Sequence, residues 1–428
     1  MRRRNKTVKL VRYQIIGIAL LLLLWCEHKK FLNPSDPENL PPAPVLLFPV
    51  DDTTSNQNPP YFQWEIEEDT LNPLCGEQLV FELQIDNNQD FSSVEFVDSN
   101  IDYESYMPSF HCGEGNYYWH ARTQYLNGSW GTWSETRKFD VRFPVVGACD
   151  ISASYADIVV SQNFAFLAYY NVLKIIDISN PCAPQLLATI ADSITNFDYI
   201  FVSGNYLYAT HHSDGCFSIY DITNPANIVF LKRLELPPGY GPVDLWVENE
   251  KAYICSYYNY DILVFDVSDP DSVFIADSLP TFGEQIIAEG NYAYILKGGG
   301  MDIVNLADNT IISSIFLDGG NLQSFWIQSG YAFIAGDEIW IYDISNPYSP
   351  SLRSNVNTPG FSITAANNYL FFNCSKYDMY NYVLAIYDIS NPSNLTELGN
   401  VYNTANHGEI FADDDFVYTT DFLIIKYE

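Results

Sequence analysis

The sequence is poor in basic residues, since 20 Lys and Arg stand against 53 Asp and Glu and give a formal charge of −33. A surface field of that sign repels phosphate backbones and anionic headgroups, which argues against nucleic-acid binding. The nucleophile-elbow, zinc-protease and phosphate-loop motifs are all absent. No cysteine pair has the spacing of a zinc site, and the adjacent His211 and His212 point to opposite sides of an extended segment. We therefore predict no catalytic residue, no metal site and no cofactor.

Aromatic residues are abundant and favour β-structure. They make up 16% of the chain, with 32 Tyr and 27 Phe, and such side chains fit a pleated, half-buried surface. The 428 residues exceed what one hydrophobic core usually organises. The composition therefore predicts an all-β protein of two or three domains.

The N-terminus has the pattern of an export signal. A basic segment, "MRRRNKTVKLVR", precedes the apolar run "IIGIALLLLLW" and Cys26. Residues 1–26 resemble a signal peptide with a bacterial lipobox, which implies acylation of Cys26, although Trp25 replaces the usual small residue. An ordinary cleaved signal and an uncleaved anchor are the alternatives. Residues 27–42 are charged and proline-rich, as expected of a tether. We predict an exported lipoprotein of the outer membrane or cell surface, or a periplasmic or secreted protein.

Seven further cysteines leave at least one thiol unpaired. Cys75 and Cys112 lie in one predicted domain, and Cys149 and Cys182 flank the first repeat of the next. Either pair is a candidate disulfide in an oxidising compartment. The connectivity stays open.

Residues 43–143 show short alternating strands separated by turns, a pattern typical of a β-sandwich. Trp64 lies on an early strand, Tyr118 and Trp119 lie on a late aromatic strand, and Trp133-Ser134 precedes the last strand. In these positions the segment resembles a fibronectin type III domain.

Residues 144–428 contain seven copies of one unit, repeated about every 42 residues, a period typical of propeller blades or solenoids. Each copy has an aromatic residue eight positions after an apolar one; the aromatic residues are Phe166, Tyr208, Tyr253, Tyr294, Phe333, Phe371 and Tyr418. The third strand ends at an aspartate in five copies: Asp177, Asp221, Asp266, Asp343 and Asp388. An aspartate there can accept an N–H two residues on and so terminate the strand. Asn305 and Lys426 replace it in copies four and seven.

The units resemble the LVIVD repeat of bacterial surface proteins, which implies a β-propeller. The chain stops after the third strand of copy seven, and "FPVVGACD" (143–150) can supply the missing strand. The predicted fold is therefore a fibronectin type III-like β-sandwich followed by a seven-bladed β-propeller closed by its two ends.

Loops between the second and third strands are rich in Tyr and His and form the candidate binding face. The candidates are Tyr257, Tyr258, Tyr260, His211, His212, Tyr377, Tyr380 and Tyr382. Exposed tyrosines suit protein or glycan partners, although some can pack beneath their own loops. We predict a non-enzymatic binding, adhesion or scaffold protein. The alternative is a secreted polysaccharide-processing enzyme whose carboxylates converge on the propeller axis, with Asp157, Asp244 and Glu409 as candidates.

Overall fold

The computed structural model describes residues 40–427 except 68–78, 126–129, 150–156, 192–195, 257–260, 318–320, 376–381 and 403–407. The described residues form 37 β-strands and one short 3₁₀ turn, Pro270–Ser272. Among them, no helix has the length and apolar character needed to cross a bilayer. The all-β prediction is confirmed. The predicted signal segment and most of the predicted tether lie outside the described residues.

The described chain divides into two compact units. The first lies within Met1–Thr53, Tyr61–Pro108 and Asn116–Asp140. The second lies within Thr54–Pro60, Ser109–Gly115 and Val141–Glu428. Two short segments of the predicted sandwich range, 54–60 and 109–115, thus belong to the repeat unit.

Nine strands precede the repeats. They are β1 Val45–Phe48, β2 Thr53–Ser55, β3 Gln57–Asn58, β4 Phe62–Glu65, β5 Leu79–Asp86, β6 Phe96–Ile101, β7 Ser105–Tyr106, β8 Tyr117–Tyr125 and β9 Arg137–Val141. One sheet has the order β1-β4-β7, and a larger sheet has the order β2-β9-β8-β5-β6. Strand β3 belongs to neither sheet.

Inward-facing aromatic residues form the core of the first unit. Trp64 on β4 and Trp119 on β8 are fully buried, as the alternation predicts. The ring of Phe62 lies edge-on to Trp119 at 4.9 Å and to Phe139 at 5.6 Å. Trp133 stacks on His120 at 3.8 Å. These contacts tie both sheets of the unit to one apolar interior.

The second unit contains seven four-stranded antiparallel repeat sheets, counted over the described residues and numbered here in chain order. Sheet 1 is β11 Asp157–Ser161, β12 Phe164–Tyr169, β13 Val172–Asp177 and β14 Gln185–Ala191; sheet 2 is β15 Ile200–Ser203, β16 Tyr206–His211, β17 Cys216–Asp221 and β18 Val229–Glu235; sheet 3 is β19 Pro242–Glu248, β20 Lys251–Ser256, β21 Ile262–Asp266 and β22 Phe274–Leu279. Sheet 4 is β23 Gln285–Glu289, β24 Tyr292–Lys297, β25 Gly300–Asn305 and β26 Thr310–Phe316; sheet 5 is β27 Ser324–Gln328, β28 Tyr331–Ala335, β29 Ile339–Asp343 and β30 Ser351–Val356. Sheet 6 is β31 Ile363–Ala366, β32 Tyr369–Ser375, β33 Tyr382–Asp388 and β34 Thr396–Tyr402, with β3 added parallel to β34.

Sheet 7 joins the two ends of the repeat region. It comprises β35 Ile410–Ala412, β36 Phe416–Thr419, β37 Leu423–Lys426 and, as its outer strand, β10 Val145–Ala148. Val145 pairs with Ile425 and Ala148 pairs with Leu423. The prediction that residues 143–150 supply the missing strand is confirmed.

The first strands of the sheets follow one another in a closed cycle. Each contacts the first strand of the next sheet, from β11 through β15, β19, β23, β27 and β31 to β35, and β35 contacts β11 again. Buried residues of adjacent sheets form the apolar layers between them, as Ile158 does with Tyr418 and Ile424. The seven predicted aromatic positions are all buried. This arrangement is compatible with a propeller.

Aspartate side chains terminate the third strands as predicted. An Asp221 oxygen accepts the amide of Thr223 at 2.8 Å, and an Asp388 oxygen accepts that of Ser390 at 2.7 Å. The same bond occurs at Asp177, Asp266 and Asp343. Asn305 accepts the amide of Ala307 at 3.0 Å, so sheet 4 uses the same turn without an aspartate. Because the bond needs only a side-chain oxygen at this position, Asn can replace Asp.

The candidate disulfides involve four cysteines, of which the structure describes Cys112, Cys149 and Cys182. Cys149 is half-buried, Cys182 is exposed, and both are free thiols, so the candidate disulfide between them is not formed. Cys112 is also free; it is buried where its amide donates to Asn58 Oδ1 at 2.8 Å. Its candidate partner, Cys75, and the candidate lipidation residue, Cys26, lie outside the described residues. A spacing on either side of a repeat does not fix the orientation of two Cβ vectors, which a disulfide requires.

Candidate functional site

A ring of polar residues lies at the start of the seven first strands. Each member directly precedes the buried apolar residue of its strand, so the repeat places all seven side chains at one end of the cycle. We call this set the polar ring: Asp157, Tyr199, Asp244, Gln285, Ser324, Ser362 and Glu409. The repeat fixes the position but not the residue type, which varies from sheet to sheet.

Side chains of the polar ring bond to the backbone of the neighbouring sheet. Asp157 on sheet 1 accepts the amide of Ile200 on sheet 2 at 2.7 Å. Asp244 accepts the amide of Ile286 at 2.8 Å, and Gln285 accepts that of Phe325 at 3.0 Å. These bonds satisfy amides that face another sheet rather than a partner strand. The polar ring therefore links sheet 1 to sheet 2, sheet 3 to sheet 4 and sheet 4 to sheet 5.

Between sheets 6 and 7 the link runs through a serine. The amide of Ile410 donates to Ser362 Oγ at 3.3 Å, and Ser362 Oγ donates to Glu409 Oε2 at 2.6 Å. Glu409 thus contacts the ring through a hydroxyl, whereas Asp157 and Asp244 accept backbone amides directly. Of the three carboxylates, it has the least backbone support.

The three carboxylates of the polar ring have raised pKa values. Burial, followed by the charge of Glu409, raises the pKa of Asp157 to about 7. Burial raises the pKa of Asp244 well above its usual value, and the charges of Asp157 and Glu409 add to the effect. Burial also raises the pKa of Glu409. The charge of Glu409 disfavours ionisation of Asp157 and Asp244, and the charge of Asp157 disfavours ionisation of Asp244.

A second ring follows two residues later on each strand and faces the same way, because side chains alternate along a strand. Four of its members are aromatic: Phe201, Trp246, Trp326 and Phe411. We call these four the aromatic wall. The rings of Phe201 and Trp246 are 4.7 Å apart and those of Trp246 and Trp326 are 6.4 Å apart.

The two rings line one cavity of about 340 Å³. Its lining includes the aromatic wall and every member of the polar ring except Ser362. Asp157, Asp244 and Glu409 are half-buried, and they are the only carboxyl groups among its described lining residues, which include no Lys, Arg or His. The volume falls within the range of small-molecule pockets, about 300–1,000 Å³. The cavity is therefore the candidate ligand site.

The described loops between second and third strands lie at the same end of the sheets as the polar ring. They bond to the segments that lead into the polar ring, as Phe197 N does to Tyr170 O at 2.6 Å and Leu236 N does to Gly215 O at 2.9 Å. Gly360 N likewise donates to Gly336 O at 2.8 Å. The interpretation that these loops share a face with the connections between sheets holds at these sites.

The structure separates the predicted binding-face residues. His211 is fully buried; its Nδ1 lies 2.7 Å from Asn196 O and its Nε2 lies 2.9 Å from Ser218 Oγ, so it supports the fold and is not a surface contact. His212 is half-buried, and its amide donates to Asp198 Oδ2 at 2.6 Å. Tyr382 is half-buried with its ring 6.0 Å from that of Phe361. The other candidates, Tyr257, Tyr258, Tyr260, Tyr377 and Tyr380, lie outside the described residues.

The residues proposed for the enzymatic alternative are brought together. Asp157, Asp244 and Glu409 all line the cavity. Sequence reasoning missed Tyr199, Gln285 and the aromatic wall, although the signal was present. Reading one position before and one after each apolar residue of the repeat yields both rings.

The repeat and fold have known relatives. The profile of the LVIVD repeat matches residues 152–192, 197–235, 284–313, 319–358 and 378–404. The structure is similar to a candidate 6-phosphogluconolactonase from Bacteroides fragilis, at 11% identity and a TM-score of 0.50, over 76% of this chain and 95% of that one. It is also similar to a chain of the Mitotic Checkpoint Complex, at 13% identity and a TM-score of 0.51, over 67% and 93%. No curated protein sequence matches the chain.

These findings define an all-β repeat protein. The chain contains five LVIVD repeats, in sheets 1, 2, 4, 5 and 6. Sheet 3 lies outside the matches although it carries Asp266, and there the segment after the third strand contains the 3₁₀ turn at Pro270–Ser272. Sheet 4 is matched although Asn305 replaces the aspartate.

Proposed function

We propose that this chain is an exported, non-enzymatic binding protein that binds its ligand in the cavity and presents the surrounding loops as an interaction face. Its repeats form a seven-bladed β-propeller, and residues 43–143 form a fibronectin type III-like sandwich that acts as a spacer. The closed cycle of first strands and the end-to-end pairing of β10 with β37 support the propeller. Two sheets with one aromatic core support the sandwich.

The observation that carries the proposal is the cavity itself. All seven first strands surround it, and its walls are apolar and aromatic with polar groups confined to one end. That distribution is typical of a small-molecule pocket. The pocket is also built into the scaffold, because the polar ring that forms its end links the sheets.

Hydrogen bonding favours binding over acid–base chemistry. Both oxygens of Asp157 accept backbone amides, from Ile158 at 2.8 Å and Ile200 at 2.7 Å. A general acid or base needs an oxygen directed at the substrate. Asp244 Oδ2 accepts the amide of Ile286 at 2.8 Å, and the amide of Leu245 also partly offsets the rise in the pKa of Asp244.

The polysaccharide-processing alternative also has support. The three carboxylates share one cavity and have raised pKa values, as a glycosidase acid requires. Glu409 and Asp244 would be the pair, and Glu409→Gln would abolish activity. The test is to incubate the chain and this variant with a polysaccharide panel and to measure new reducing ends. Product from the wild type that is lost in Glu409→Gln would overturn the non-enzymatic proposal.

The binding proposal is tested with glycan and protein arrays probed with the full chain. Trp326→Leu removes part of the aromatic wall, and Trp340→Leu is the matched control because Trp340 lies in the same sheet and does not line the cavity. We expect array signals that fall in Trp326→Leu and persist in Trp340→Leu. A triple alanine variant of Tyr257, Tyr258 and Tyr260 tests the loop face in the same assay. Signals that are unchanged in every variant would show that neither the cavity nor the loop face binds the array ligand.

Export, a surface location and anchoring through Cys26 complete the proposal. They rest on the basic and apolar N-terminal segment and on the tether that follows it. Cys26→Ser would release the protein from membranes if the cysteine carries lipid. Fractionation of cells that express both forms measures this directly.

A further inference from the structure

The described lining of the cavity contains three carboxyl groups and no basic side chain. Asp157, Asp244 and Glu409 lie at one end, and none of the described lining residues is Lys, Arg or His. No basic group offsets the rise in the pKa of any of the three carboxyl groups. Ionisation of these groups therefore produces a negative potential that the described surroundings leave unbalanced, and a ligand can balance it.

The walls of the cavity suit an apolar cation. The aromatic wall comprises two tryptophans and two phenylalanines, and Trp246 lies between Phe201 at 4.7 Å and Trp326 at 6.4 Å. Tryptophan faces attract cations more strongly than other aromatic side chains do, especially away from water. The same surfaces exclude a strongly hydrated ion, which would have to shed its water against carbon.

The lining of the cavity argues against a metal ion. Most of the residues around the three carboxyl groups are apolar, and a metal ion would lose its hydration there. The described residues contain no group of three side chains suited to holding a metal ion. A quaternary ammonium ion forms no hydrogen bonds of its own, and its attraction to the carboxylates acts over a distance.

We propose that the cavity binds a small organic cation with an apolar body, such as an arylalkyl ammonium compound, with its charge towards Asp157, Asp244 and Glu409 and its apolar part against the aromatic wall. This inference rests on the proposed function, since it names the ligand class of the same cavity. Binding displaces protons from the carboxylates, so affinity increases with pH.

The test uses benzyltrimethylammonium, choline and the uncharged isostere of choline, 3,3-dimethylbutan-1-ol. Titration calorimetry on the full chain measures each affinity at about pH 5 and about pH 8. We expect choline to bind at least about tenfold more tightly than its isostere at the higher pH. Benzyltrimethylammonium gains further affinity from its ring and quenches the fluorescence of the wall tryptophans.

Two variants and one control assign the site. Asp157→Asn with Glu409→Gln removes two charges while retaining an acceptor oxygen at each position, and should lower the affinity for both cations by about tenfold or more. Trp326→Leu should lower the affinity for benzyltrimethylammonium. Asp221→Asn removes an acidic group outside the cavity lining and should leave the affinity for both cations unchanged. Thermal unfolding of each variant confirms that it is folded.

The outcomes separate the two proposals. Equal binding of choline and its isostere, or cation binding that survives the double charge variant, overturns the cation inference. If an array ligand binds in a way that requires Trp326 while neither cation binds, the cavity is a binding site and only the ligand class is wrong. If neither cation binds and no array signal depends on the cavity, the proposed function is wrong as well.

Discussion

Replacing Asp157 with asparagine should remove a pH dependence of folding that the buried carboxyl creates. The substitution keeps the size of the side chain and one acceptor oxygen. It places an NH₂ group opposite one backbone amide, which costs stability equally at every pH. The change of stability with pH therefore isolates the titration of the carboxyl.

The magnitude follows from the two pKa values of this group. Burial and the charge of Glu409 raise the pKa of Asp157 from 3.8 to about 7 on folding. A group with a raised folded-state pKa stabilises the fold below its unfolded pKa, and this stabilisation is lost as the pH rises through the folded value. Between about pH 5 and about pH 8 the wild type should lose about 2–3 kcal/mol of unfolding free energy relative to Asp157→Asn.

Urea unfolding at the two pH values measures this difference. Asp221→Asn is the matched control, because bonds from Thr223 lower the pKa of Asp221. The stabilisation from Asp221 is lost only as the pH falls below the unfolded pKa, so the difference between wild type and Asp221→Asn should not change over this range. A difference between wild type and Asp157→Asn that is equally constant would refute the account of the polar ring given above.

Three further predictions concern the scaffold. Gly147→Ala should destabilise the repeat unit by about 1–3 kcal/mol because the new Cβ would lie 1.9 Å from Pro181 O, whereas a Cβ at Gly298 would meet only Glu284 Oε1 at 4.0 Å, so Gly298→Ala should be nearly neutral in the same thermal scans. Gln285→Ala should cost about 1 kcal/mol through the lost bond to Phe325, and a cost no larger than that of exposed Glu284→Ala would contradict the linking role of the polar ring. Native labelling with a thiol reagent should be rapid at exposed Cys182, and loss of that fast phase in Cys182→Ser would confirm the assignment.

Much of the fold was predictable because the same local sequence pattern recurs along the repeat region. One aspartate before Asn-Pro or Asp-Pro is a weak turn signal, but five such aspartates at a fixed period leave few alternatives to a repeated sheet. The end-to-end pairing was predictable by elimination, since copy seven lacks a strand and 143–150 is extended. The transfer of Gln57–Asn58 to sheet 6 was not predictable, because two residues carry no periodic pattern.

The candidate site was only partly predictable. Asp157, Asp244 and Glu409 stood out as acidic residues at equivalent positions, and the structure brings them to one cavity. His211 was misread because its position at the end of a strand says nothing about what packs over it. Its burial depends on Asn196 and Ser218, which come from the segment before sheet 2 and from its third strand. Such contacts follow from tertiary packing and not from local pattern.

The pairing of β10 with β37 makes completion of the molecule a late event during synthesis. The outer strand of sheet 7 leaves the ribosome before any of the other six repeat sheets, and its partner emerges after all of them. Until then residues 145–148 have no ladder to join, and sheet 1 has no neighbour on one side. A nascent chain therefore exposes the unpaired strand β10 and one apolar face of sheet 1 throughout elongation. A chaperone that binds the nascent chain at that stage would bind these two surfaces before any other part of the repeat region.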